Sequence, residues 1–170
     1  MAENGSRRGL CHQNSCEISK KEFNEASICS FPPHQKYPMT NLSKLNFLVV
    51  DELRVTRHIL RGLLMKIGAQ HVDEAEDGAV ALAMVKNGHY DFVLSDIMML
   101  NMDGLELLAA IKSDENLRHT TVVLMSSKRR QEIVLRGLQL GAASHFIKYP
   151  SEAELAEMIQ AILLKLTGQA

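Results

Sequence analysis

Cysteine is scarce in this chain: three residues in 170, Cys11, Cys16 and Cys29, with none in the apolar remainder. A core without cysteines has no disulfide framework of the kind that staples small secreted domains. A charge bias is also missing. Nineteen Lys and Arg against twenty Asp and Glu leave a formal net charge of −1, too even for a nucleic-acid or anionic-membrane partner held by bulk electrostatics. No apolar run approaches the roughly 18 residues of a membrane span. Arg7 and Arg8 have no apolar segment behind them, so the N-terminus does not read as a secretory signal. These absences point to a cytoplasmic globular protein. What is present supports it: 46% hydrophobic residues, enough for the core of one domain plus an extension.

Composition changes near residue 40. Residues 1–44 are polar, carry Pro32, Pro33 and Pro38, and show no sustained apolar period. They read as a flexible extension with a charge of +2, leaving −3 for a domain over 45–170. The stretch MTNLSKLNFLVVDE from Met39 looks like the natural start of that domain, and residues 1–38 are expected to be dispensable for folding. Cys11, His12, Cys16, Cys29 and His34 invite a zinc reading. Their C-x4-C spacing is loose and no second close pair follows, so they are better taken as thiols and imidazoles in an unstructured tail.

From Leu45 short apolar runs alternate with helical patterns. Strands are expected at 46–50 (NFLVV), 71–75 (HVDEA), 92–96 (FVLSD), 121–125 (TVVLM) and 144–148 (SHFIK). Helices are expected at 55–68, 78–88, 104–113, 130–142 and 151–166. In the first, Ile59, Leu60, Leu63, Leu64 and Ile67 share one face and Gly68 supplies the stop. In the last, Ser151 and Glu154 form a capping box. Strict β-α alternation over five units predicts an α/β fold, a doubly wound parallel sheet with helices on both faces. Only residues 167–170 follow, so no DNA-binding or catalytic output domain is expected.

Ligands of such sheets bind outside the carboxyl ends of the strands. Here those ends carry Asp51-Glu52, Asp96, Ser126-Ser127 and Lys148. Three carboxylates brought together would repel and raise one another's pKa values. A hard divalent cation such as Mg²⁺ would relieve that repulsion. Metal, ammonium and hydroxyl around a carboxylate nucleophile suit phosphoryl transfer onto an aspartate. Asp96 stands alone at its strand end, whereas the adjacent pair is better suited to chelation.

The residues FLVVDE at 47–52, Arg57, EAEDG at 74–78, FVLSDIMM and MDG between 92 and 104, VVLMSS at 122–127, GAAS at 141–144 and Lys148 together resemble the receiver domain of two-component response regulators. The likeness is greatest to single-domain chemotaxis members and covers about Leu45 to Leu166. It implies a flavodoxin-like (βα)5 sheet in the order 2-1-3-4-5. It also implies a phospho-acceptor switch supplied by a histidine kinase or histidine phosphotransfer protein, with Asp96 as acceptor. Mg²⁺ would be held by Asp51, Glu52, Asp96 and the backbone carbonyl of Met98. Ser126 and His145 would move together, and Lys148 would contact the phosphoryl group. The face of the fourth helix, fifth strand and fifth helix would then change its affinity for a flagellar motor switch protein or a phosphorelay component. Such a protein is expected to act as a monomer and, beyond phosphoryl uptake and slow self-dephosphorylation, not as an enzyme.

Four positions depart from that pattern. Glu52 replaces the usual Asp, carrying its carboxylate about 1.5 Å farther out. Leu100 replaces a proline, Tyr149 separates Lys148 from Pro150, and His145 replaces an aromatic and could titrate near neutral pH. Glu52 and the Lys148 loop leave open, as the alternative, a pseudo-receiver that binds partners without phosphorylation. A phosphohydrolase of the haloacid-dehalogenase type needs a second acid two residues past the nucleophile; Met98 occupies that place.

Overall fold

A computed structural model describes residues 41–127 and 131–168. Residues 1–40, with the cysteines, Pro32, Pro33, Pro38 and Met39, lie outside them. The described chain begins with a 3-10 turn, Leu42–Lys44, capped by Asn41, whose side chain accepts from the Ser43 amide. Leu42 is already buried in the core.

Five strands follow: β1 (Asn46–Val50), β2 (His71–Ala75), β3 (Phe92–Asp96), β4 (Thr121–Ser126) and β5 (Ser144–Ile147). They alternate with α1 (Arg54–Lys66), α2 (Gly78–Asn87), α3 (Gly104–Ser113), α4 (Gln131–Gln139) and α5 (Glu152–Leu166). All strand pairs are parallel, in the order β2-β1-β3-β4-β5. The flavodoxin-like order is the expected one.

Alternation along each strand sorts the apolar residues into two cores. Leu48, Val50, Val93, Val122 and Leu124 join residues of α2 and α3 on one face of the sheet. Phe47, Val49, Phe92, Leu94, Val123 and Met125 join residues of α1 and α5 on the other. Phe47 and Phe92, level with each other across β1 and β3, stack at 5.3 Å. Because both faces are covered, β3 and β4 are buried at every residue.

Helix ends follow local rules. Asp103 and Ser151 each form a capping box, with Glu106 and Glu154. Gly68 and Gly141 take positive φ just past α1 and α4. The expected apolar face of α1 holds for four of its five residues: Leu60 and Leu64 are buried and Leu63 and Ile67 are half-buried against the same core. Ile59 alone is exposed, and Thr56 is buried in line with Leu60 and Leu64.

At the amino ends of the strands, away from the site described next, polar staples close the sheet. The Asp91 carboxylate accepts the Asn46 amide at 2.8 Å. The Lys112 ammonium donates to the carbonyls of Arg118 and Thr120.

Candidate functional site

The strand order reverses between β1 and β3, and this is where a crevice opens at the carboxyl ends of a doubly wound sheet. Asp51 follows β1 directly and is fully buried. Its Oδ1 accepts the Leu53 amide at 2.8 Å, which turns the chain toward α1. Asp96 ends β3 and is 3% exposed; its Oδ1 accepts the Ile97 amide at 2.9 Å. One residue past β5, Lys148 reaches both. Its Nζ donates to Asp96 Oδ2 at 2.7 Å and lies 2.8 Å from Asp51 Oδ2. The second contact is an ion pair whose angles fall outside hydrogen-bond geometry, leaving Asp51 Oδ2 buried with a charge partner but no donor.

The electrostatics follow from burial. Burial holds the Asp96 carboxyl above its ordinary value; the Lys148 ammonium pulls it back and the Asp51 charge adds to the rise. For Lys148 burial works downward, but two carboxylates outweigh it and hold the ammonium above its ordinary value. With both acids ionised, one cation bridges two anions and one negative charge is left over.

Glu52 does not join this cluster. Its side chain is exposed, and among the described residues no three Asp, Glu, His or Cys side chains are placed to hold a metal ion. The three-acid expectation reduces to two acids. Met98 is exposed, in the loop from Ile97 to Asp103. In that loop Leu100 is exposed, Asn101 takes φ 64°, and Asn101 Nδ2 donates to Asp77 Oδ2 at 3.0 Å. Asp77 also caps α2 through the Val80 amide, and these bonds hold its carboxyl below the ordinary value. At the loop's end Gly104 packs so closely that a Cβ there would press on the Asp96 carbonyl and lie 2.9 Å from Ile97 Cα.

Ser126 and His145 meet directly. Ser126 Oγ lies 2.8 Å from His145 Nε2, with both residues buried. The inserted tyrosine does not displace Lys148. Tyr149 takes φ 66°, an unusual conformation for a bulky residue, and its hydroxyl lies 3.3 Å from Thr56 Oγ1 on α1.

Arg57 has a part that its place in the sequence pattern did not reveal. Its Nη1 donates to the carbonyls of Asp51 (2.8 Å) and Glu52 (3.3 Å), while Nε pairs with Glu74 at the end of β2. It thereby clamps the turn that carries the acids. A basic residue one helical turn past an acidic strand end was the available signal.

The family model described as a response regulator receiver domain matches residues 47–160. This chain belongs to the receiver family. Membership makes it a response-regulator phospho-acceptor domain. Among curated receivers, chemotaxis protein CheY-3 of Vibrio cholerae is 34% identical over 122 residues, 72% of this chain and 94% of that protein. CheY of Pseudomonas aeruginosa is 31% identical over 124 residues, 73% of this chain and all of that protein. Among solved receivers, V. cholerae CheY4 superposes with TM-score 0.65 at 24% identity over 69% of this chain and 98% of its own, which speaks to the fold alone. The Borrelia burgdorferi CheX-CheY-BeF3-Mg²⁺ complex matches with TM-score 0.66 at 26% identity over 70% of this chain and 89% of its own. No described helix is long and apolar enough to cross a membrane.

Proposed function

We propose that this receiver takes a phosphoryl group from a phosphohistidine donor, a histidine kinase or histidine phosphotransfer protein, onto Asp96. One observation carries the reading: an aspartate buried at the end of β3 with a charged lysine 2.7 Å from its carboxylate and a second buried aspartate on the same lysine. Asp96 supplies the oxygen that bonds to phosphorus. The P–N bond of the donor breaks, and the imidazole leaves with the electron pair of that bond. Lys148 neutralises phosphoryl oxygens from the same side as it now meets the carboxylate, and the Ser126 hydroxyl donates to another.

Receiver domains typically bind Mg²⁺, and the donor set here fits. Mg²⁺ keeps several waters and is commonly held through one or two carboxylates, which Asp51 and Asp96 supply with one charge in excess. The carbonyl of Met98 is the proposed backbone ligand, and Glu52 is the proposed outer acid, acting through water. Bound there, the ion would offset charge on the transferring group.

The output would pass through α4, β5 and α5, where Leu138 and Ile147 present exposed apolar side chains. A flagellar motor switch component or a phosphorelay protein is the proposed partner class, in line with the chemotaxis relatives. Intact mass after incubation with acetyl phosphate and Mg²⁺ tests the assignment. Wild type should gain one phosphoryl group and Asp96→Asn none. No gain in wild type would favour a pseudo-receiver, and a gain in the variant would move the acceptor elsewhere.

A further inference from the structure

Ser126 and His145 stand on neighbouring strands, on the same face of the sheet. Ser126 is level with Ile147 and His145 with Leu124, so the two side chains are diagonal neighbours. Their 2.8 Å bond is made out of water, where it is stronger than at a surface. The Asp96 carboxylate is engaged separately, by the Ile97 amide and the Lys148 ammonium. We infer that His145 is a positioning residue that holds the Ser126 hydroxyl in its resting orientation, so that a phosphoryl group on Asp96 must draw the hydroxyl away from an imidazole.

This inference rests on the proposed role of Asp96. It holds for either imidazole tautomer. Whether Nε2 accepts from the hydroxyl or donates to it, turning Oγ toward Asp96 about χ1 breaks the bond. A phenylalanine at this position has no atom to make it. The latch therefore opposes phosphorylation, and removing it should favour the phosphorylated form by about 2- to 10-fold, the size of one net hydrogen bond. His145→Gln should behave like wild type, because the end of a glutamine amide reaches the place of Nε2 and can donate or accept.

The test uses beryllofluoride with Mg²⁺ as a phosphoryl mimic that needs no donor protein, titrated against the full chain and followed by amide NMR signals. Wild type should bind it, His145→Phe should bind about 2- to 10-fold tighter, and His145→Gln should match wild type. In a Ser126→Ala background, His145→Phe should change nothing. Equal or weaker binding by His145→Phe overturns the latch, as does the same gain in the Ser126→Ala background, which would mark a packing effect. No binding by wild type would overturn the reading of Asp96 and the latch with it. The imidazole nitrogen resonances of His145 give a second readout that needs no His145 variant. They should shift in Ser126→Ala and on adding beryllofluoride to wild type, and unchanged signals would overturn the latch.

Discussion

Replacing Lys148 by methionine keeps much of the aliphatic stem and removes the ammonium. Asp51 and Asp96, 0% and 3% exposed, would then face each other without their shared cation. Removing one partner from a buried ion pair costs about 3–5 kcal/mol. Proton uptake limits the loss. Asp96, already held high by burial, loses the ammonium that pulls it down and climbs further. A carboxyl whose folded pKa exceeds its unfolded one binds more protons when folded, so its stability contribution falls as pH rises through that window and returns on acidification. The wild-type lysine has the opposite reach. Its raised folded pKa gives stability that is whole below its unfolded value and lost only as pH rises through the folded one. Between about pH 5 and about pH 8 wild type therefore keeps the lysine's share throughout. Lys148→Met should be short by about 3–5 kcal/mol near pH 7.5 and by clearly less near pH 5. Magnesium should restore more to the variant than to wild type, since two carboxylates freed of the ammonium bind the cation more tightly and a ligand of the folded state stabilises more the further its concentration exceeds its Kd. Urea unfolding at both pH values, with and without magnesium, measures all three. A deficit under about 1 kcal/mol at neutral pH, the range of exposed pairs, or one that ignores pH, would refute the buried-trio argument.

Gly104→Ala should destabilise the domain by about 1–3 kcal/mol, because its Cβ would be driven into the backbone of Asp96 and Ile97; thermal melts check this, and a neutral result would mean that the loop yields freely. Asp51→Asn should weaken magnesium binding at least tenfold. Glu52→Gln should weaken it by no more than about threefold, and Glu52→Asp should not weaken it, because an exposed acid acts through water and screened charge. Magnesium titrations separate these, and equal losses at Asp51 and Glu52 would put Glu52 in the direct ligand set.

Much of this architecture was legible because each strand is a short run of apolar residues bounded by polar turns. All five expected strands match within a residue at each end, β2 among them although only Val72 and Ala75 of its five residues are apolar. The pairing of Asp51 with Asp96 followed from strand order. What escaped depends on direction. Successive side chains leaving a strand point to opposite sides, so of two adjacent acids only Asp51 turns inward and Glu52 meets water. Composition cannot show that. Nor could it show that Tyr149 enters the left-handed region and leaves Lys148 in reach of both carboxylates. The Ser126–His145 bond needs the register of β4 against β5, and the exposure of Ile59 needs the width of the groove α1 covers. Both are tertiary facts.

The amide of Lys148 donates to the carbonyl of Ser126 at 2.9 Å, so two of the candidate groups are neighbouring rungs of one ladder. Their separation is set by the sheet, as is that of Asp51 from Asp96, and none of it depends on how long the chain takes to travel between strands. The connections thus fall into two classes for anyone who would graft onto this scaffold. Those entering the strands, at 88–91, 114–120 and 140–143, sit at the end away from the carboxylates and are the ones to lengthen, cut or load with a reporter. Those leaving the strands hold the acids, the hydroxyl and the ammonium within a few residues of the last rung, and there a single inserted residue between Ile147 and Lys148 would carry the ammonium away from both carboxylates.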